Sequence, residues 1–196
     1  MPRRDAAGRL PPTAPISDRD PLRRLFRALV TDVFLRGLHL SDIALAEYVA
    51  DMLTRFVHID RIFRLRDARG RRLTEVAEML LAADARFAVG PFGQEREIHR
   101  HIGDFTLFWT GVYPEALRYF RSPLRKDHLI DYVEQGKRSY YIASTFVGPE
   151  IRREAEVLRE LSELFDVCMY GLHLVRQQWE RLGPDSYEAA TGVLLS

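Results

Sequence analysis

A chain of 196 residues, 46% hydrophobic and 29% charged, has the make-up of an ordinary globular domain with one sizeable core. A net charge of +1 excludes an overall field directed at nucleic acid or a membrane surface. The single cysteine, Cys168, excludes an internal disulfide and fits a reducing cytoplasm, and no run approaches the roughly 20 apolar residues of a membrane span.

Residues 1–19 are rich in proline, alanine and arginine and show no periodicity, which predicts a disordered arm. Without an apolar run, this arm is not expected to be a secretory leader. Asp20-Pro21 then predicts a helix start, a capping carboxylate followed by proline at the first helical position. Leu22, Leu25, Phe26, Leu29, Val30 and Val33 supply the apolar stripe, and Gly37 is the expected end. Ser41 is the expected cap of a second helix running to about Phe63, with Leu45, Tyr48, Met52, Phe56, Ile59 and Phe63 along one side. His58 lies beside that stripe and reads as a partly buried, hydrogen-bonded residue. Between residues 63 and 73, apolar and polar residues alternate around an Asp-x-x-Gly turn, which predicts a short hairpin or an arginine-rich loop. Thr74 is expected to cap a short third helix with Val76, Leu80 and Ala83 facing inward.

Gly90 to Gly93 break the chain before the stretch from Glu95 to Glu115, which reads as a helix closed by Pro114. Ile98, Ile102, Phe105, Trp109 and Val112 recur at steps of four and three, so they share one side. The opposite side carries Gly103, Thr106, Leu107 and Thr110, small and uncharged. A helix that can be buried on both sides belongs inside a bundle. A short helix from Glu115 to Phe120, a loop and a helix from about Asp127 to Val147 follow. Gly136 in its interior calls for a bulky neighbour at close approach, for which Trp109 is the candidate. Gly148-Pro149 separates it from a last long helix, about Glu150 to Leu182, stopped by Gly183-Pro184. Residues 184–196 read as a frayed tail. The expected fold is an all-α, single-domain bundle of about six or seven helices spanning residues 20–183.

The residues that carry chemistry gather in a few places. Glu97, His101 and Asp104 stand at i, i+4 and i+7 on the central helix, and Asp166, Tyr170 and His173 repeat that spacing on the last one. Carboxylates and histidines on facing bundle helices are the ingredients of di-iron and di-manganese sites, so Glu97, His101, Asp104, Asp166 and His173 form a candidate metal set, although a Glu-x-x-His element is absent. The alternative is that these groups flank an apolar stripe and pair with arginine. His99 and His101 would share a side on a strand but not on a helix, so they are not read as a chelate. Arg61, Arg64, Arg66, Arg69, Arg71 and Arg72, with Arg55 before them, make a basic run that reads as a solvated or partner-facing surface and less readily as a phosphate contact. Phe108, Trp109, Tyr113 and Tyr140 are candidates for lining a small-ligand pocket. Phosphate-binding loops, Gly-x-Ser-x-Gly, His-Glu-x-x-His and Cys-x-x-Cys are all missing.

Gly103-Asp104-Phe-Thr-Leu107-Phe108-Trp-Thr-Gly111-Val-Tyr-Pro114-Glu115, followed by Tyr132 and Gly136-Lys-Arg-Ser-Tyr140, resembles a pattern in bacterial helical proteins that have no assigned activity. The resemblance covers the middle of the chain and implies no cofactor or catalytic residue. The functional expectation is a cytoplasmic, non-catalytic module that binds a protein or a small ligand, without a membrane or a cofactor and with homo-oligomers open. A metal-dependent helical oxidase or hydrolase using iron or manganese is the alternative, and nucleic-acid binding through the arginine run comes third.

Overall fold

The first helix begins where the sequence places it: an oxygen of Asp20 accepts the Leu22 amide at 2.9 Å, and Pro21 fills the first helical position. The structure, a computed structural model, describes residues 20–57, 59–67, 69–87, 93–120, 122–146 and 148–182. The expected arm over 1–19, His58, the break at 90–92, the Gly183-Pro184 stop and the tail lie outside these residues. In chain order the helices are α1 (Pro21–Val30), α2 (Ile43–Phe56), α3 (Ile59–Ile62), α4 (Val76–Phe87), α5 (Gln94–Gly111), α6 (Leu117–Phe120), α7 (Tyr132–Thr145), α8 (Arg152–Glu163) and α9 (Phe165–Arg181). Since α3 and α6 are single turns, seven longer helices among the described residues build one all-α domain, as expected. None of the described helices is long and apolar enough to cross a membrane.

The first helix continues beyond Val30 as a wider π-helical stretch, Thr31–Gly37, so the chain runs helically to the glycine that was expected to end it. Its last turn closes through the Leu38 amide on the Val33 carbonyl at 2.9 Å, five residues back. Asp42, not Ser41, caps α2, accepting the amides of Ala44 and Leu45 at 2.6 and 3.2 Å. Near residues 63–73 the hairpin is reduced to one antiparallel bridge between Arg66 and Arg72. Asp67 accepts the amides of Arg69 and Arg71, and Gly70 takes a positive φ of 82° to close the turn. Leu65 and Leu73 anchor its two arms in the core.

Two expected helices are shorter than their periodicity implied. Thr74 does not cap α4; Asp127, fully buried, does so from 50 residues away, accepting the Val76 and Ala77 amides at 2.8 Å each. With its carboxylate spent there, Asp127 lies in a 3-10 turn, Lys126–Leu129, and a new cap, Asp131, starts α7. Leu129, inside the span expected to be helical from about Asp127, lies in this turn instead and is 83% exposed. The long terminal helix is two helices broken at Leu164, whose ψ of 19° departs from the helical value. No proline or glycine stands there; Phe165, fully buried, is drawn into the core at the break.

The axis of the domain is α5, buried on both sides as its sequence predicts and packed against α2, α4, α7 and α9. Its contact with α7 is close enough to need glycines. A Cβ on Gly103 would sit 2.5 Å from the Tyr140 ring, and one on Gly136 2.5 Å from both Phe165 and the Thr106 hydroxyl. The neighbour of Gly136 is therefore Phe165 with Thr106, not Trp109.

Candidate functional site

The N-terminal two-thirds of α5 turns its polar flank mostly to α2, α8 and the chain after α3, with only its Glu97 end meeting water. At its centre Asp104, 2% exposed, accepts on Oδ1 from the Tyr48 hydroxyl at 2.7 Å and the Tyr140 hydroxyl at 3.0 Å. Arg55 donates to Oδ2 at 3.2 Å, so both carboxylate oxygens are engaged. Burial, then the Asp104 charge, raises the pKa of both phenols, which remain protonated donors.

One turn back, His101 is 1% exposed and has both ring nitrogens occupied: Arg64 Nε meets Nδ1 at 3.2 Å, and Nε2 faces the Ile62 carbonyl at 3.0 Å. Another turn back, Glu97 accepts from Arg100 at 2.8 and 3.2 Å, from Arg96 at 3.2 Å and from Arg64 at 3.5 Å. Burial alone would raise its pKa; the cations Arg100, Arg64 and Arg96 outweigh that and hold it low. Glu154 on α8 completes the cluster, bonded to Arg96 and 3.6 Å from Arg100. The result is a chain of charges from a buried end at Asp104 to a wet end at Glu97 and Glu154, whose side chains are 39% and 34% exposed.

The second polar flank read from the sequence does not meet this one. Asp166 pairs with Lys137 at 2.8 Å with 61% of its side chain exposed, Tyr170 is 54% exposed, and His173 is exposed with Gln177 beside its Nε2 at 3.0 Å. Among the described residues no group of three or more histidine, cysteine or acidic side chains is placed to hold a metal. The partner flank is on α2 instead, where Tyr48, Met52 and Arg55 repeat the i, i+4, i+7 spacing within an apolar stripe. That arginine inside a hydrophobic register is the signal that could have found it.

The arginine run divides. Arg64 turns inward to His101 and Glu97, Arg71 pairs with Asp67 at 3.1 Å and Glu78 at 3.7 Å, and Arg72 pairs with Asp60 at 2.5 Å. Arg61 and Arg66 are half-buried and Arg69 is exposed. The run thus spans an interior and a surface rather than one continuous basic stripe.

The aromatic candidates also divide. Phe108, Trp109 and Tyr113 pack on one another with ring centroids 5.2 to 6.1 Å apart and join Phe120, Phe105 and Phe56 as core. Tyr140 stands against Gly103 and Phe165, on another side of α5. The four do not line a common cavity. A shallow open depression of about 360 Å³ lies elsewhere, between Arg24, Arg27, Thr31, Asp32 and Arg36 at the π-helical stretch. Cys168 is fully buried and its thiol is pushed up to about 12 by that burial, so it is a packing residue rather than a nucleophile.

Set against family models, curated proteins and solved structures, the chain matches none of them.

Proposed function

We propose that this chain is a non-catalytic module of the cytoplasm whose ligand is another protein. The reading rests on one observation: three large apolar side chains stand exposed on a single connecting segment. Tyr119 is 61% exposed, Leu124 98% and Leu129 83%. Scattered exposed leucines are ordinary, but three large apolar groups within the eleven positions from Tyr119 to Leu129 favour an interaction surface. The segment is pinned rather than loose. Asp127 holds the start of α4 and accepts the Tyr132 hydroxyl at 2.6 Å, while Glu75 accepts the Lys126 amide at 2.6 Å. A pinned apolar segment binds without first being ordered, which lowers the entropic cost of association.

Charge narrows the partner. Arg118 is exposed beside these residues; Lys126 pairs with Glu78 at 2.5 Å, and Arg125, 3.5 Å from Glu75, stacks on Tyr119 with its guanidinium 4.2 Å from the ring centre. The complementary surface has an apolar pocket rimmed by carboxylates. Leu124→Asp/Leu129→Asp tests it, since neither side chain supports the core. Affinity capture with both forms is expected to recover a partner with the wild type and lose it with the double variant. Identical captures, or no partner for the wild type, would overturn the reading.

A further inference from the structure

The cluster at the wet end of α5 has the design of an anion cradle with a built-in occupant. Three guanidinium groups from two parts of the chain, Arg64, Arg96 and Arg100, aim four N–H donors at the single carboxylate of Glu97. The side chains of these arginines are 21%, 6% and 13% exposed, whereas that of Glu97 is 39% exposed. The donors are therefore held from beneath while the acceptor sits on the solvent side, on a flexible stem.

The cluster is rich in cations: Arg55, Arg64, Arg96 and Arg100 pair with Asp104, Glu97 and Glu154. Arg96 has a buried Nε with no hydrogen-bond partner among those residues, although the side chain is held at both other nitrogens. Burial, then the Arg100 charge, lowers the proton affinity of Arg64, whereas Asp104 and Glu97 raise that of Arg100 in spite of its burial. A carboxylate offers two oxygens to this array; a phosphoryl group offers three and a second negative charge.

We propose that Arg64, Arg96 and Arg100 form a binding site for a phosphoryl-bearing anion, whose seat Glu97 fills in the free protein and vacates to solvent when the ligand arrives. Glu97 then sets the threshold for binding by competing with the ligand. This site is separate from the Tyr119–Leu129 surface, and the failure of one leaves the other standing.

Inorganic phosphate is the probe, titrated calorimetrically into the full chain near neutral pH against chloride at matched ionic strength. Wild-type protein is expected to bind it saturably. Glu97→Gln removes the competing charge and keeps the shape, so it is expected to tighten binding by about tenfold. Glu156→Gln makes the same change of net charge at an exposed pair with Arg152, and is expected to leave the affinity unchanged. Glu97→Gln removes a counter-charge from three largely buried arginines, so each variant is checked for folding by circular dichroism and urea unfolding before it is titrated. Non-saturable uptake, or equal affinities for Glu97→Gln and the wild type, would overturn the proposal. Equal tightening in both variants would do so as well, by assigning the effect to net charge.

Discussion

Arg64 Nε donates to His101 Nδ1 at 3.2 Å, while His101 Nε2 meets the Ile62 carbonyl at 3.0 Å. A guanidinium N–H only donates and a carbonyl only accepts, so the ring is neutral and carries its proton on Nε2. Burial, then the charges of Arg64 and Arg100, hold its pKa well below the ordinary 6.5. The unfolded chain therefore takes up a proton below about pH 6.5 that the folded chain refuses. The stability this group contributes is complete above that pH and is lost as pH falls. Urea midpoints measured from about pH 7.5 down to about pH 5 are expected to fall more steeply for the wild type than for His101→Gln. Parallel slopes would show that His101 titrates freely.

Asp104 is the buried anchor of the same cluster, and its three donors allow graded tests. Tyr140→Phe keeps the ring against Gly103 and removes one hydrogen bond, leaving Tyr48 and Arg55 on the carboxylate. A loss of about 1–2 kcal/mol is expected. Asp104→Asn removes the charge opposite Arg55, whose side chain is only 18% exposed, and is expected to cost about 3–5 kcal/mol. Chemical denaturation of the two single variants and the double variant should give less than additive losses, because both act on one network.

A second pH-dependent contact joins α2 to α8. Burial, with the Asp42 carboxylate beside it, raises Glu160 from 4.5 to about 7. The protonated Glu160 donates to Asp42, and that bond, with the Leu45 and Ala44 amides, outweighs burial and keeps Asp42 low. A raised carboxyl pKa means the folded state holds the proton more tightly. The stabilisation is complete below about pH 4.5 and is lost as pH rises through about 7. Glu160→Gln keeps a donor at every pH. It is expected to be more stable than the wild type at about pH 8 and equal to it near pH 5. The His101 and Glu160 effects have opposite signs in overlapping windows, so each is read as a difference between variant and wild type.

The central helix was legible because its own residues decide its environment: apolar groups at steps of three and four on one side, glycines and threonines on the other. What periodicity does not carry is direction. The apolar register from Leu158 through Leu172 crosses Leu164 without interruption, yet Phe165 is drawn against Gly136 and the helix breaks there. Long-range capping is equally silent. Nothing local to Thr74 says that Asp127 will serve α4, and that bond is what removes Leu129 from the core and exposes it. The Glu97–His101–Asp104 flank was visible as a polar flank, but its partners were sought among residues that look like ligands. They are two tyrosines and several arginines: Tyr48 reads from the sequence as stripe, Tyr140 as a pocket aromatic, and Arg55 and Arg64 as surface. Arginine carries a long apolar stem, so its place in a sequence says little about the depth its guanidinium reaches.

The break at Leu164 gives the last prediction. Gly136 lies inside α7, where alanine would ordinarily gain about 1 kcal/mol in helix propensity. Here its Cβ would stand 2.5 Å from the Phe165 ring and from the Thr106 hydroxyl, both fully buried and neither at the end of a flexible chain. Overpacking of that kind costs about 1–3 kcal/mol and reverses the sign, so Gly136→Ala is expected to destabilise the fold by a net amount of about 1–2 kcal/mol. Phe165→Leu shortens the ring that meets the new methyl, at the expense of core contacts. In that background Gly136→Ala should be close to neutral, an energetic coupling readable in a double-mutant cycle. If the alanine costs as much beside Leu as beside Phe, the contact that excludes a side chain at Gly136 is made by Thr106 and not by Phe165.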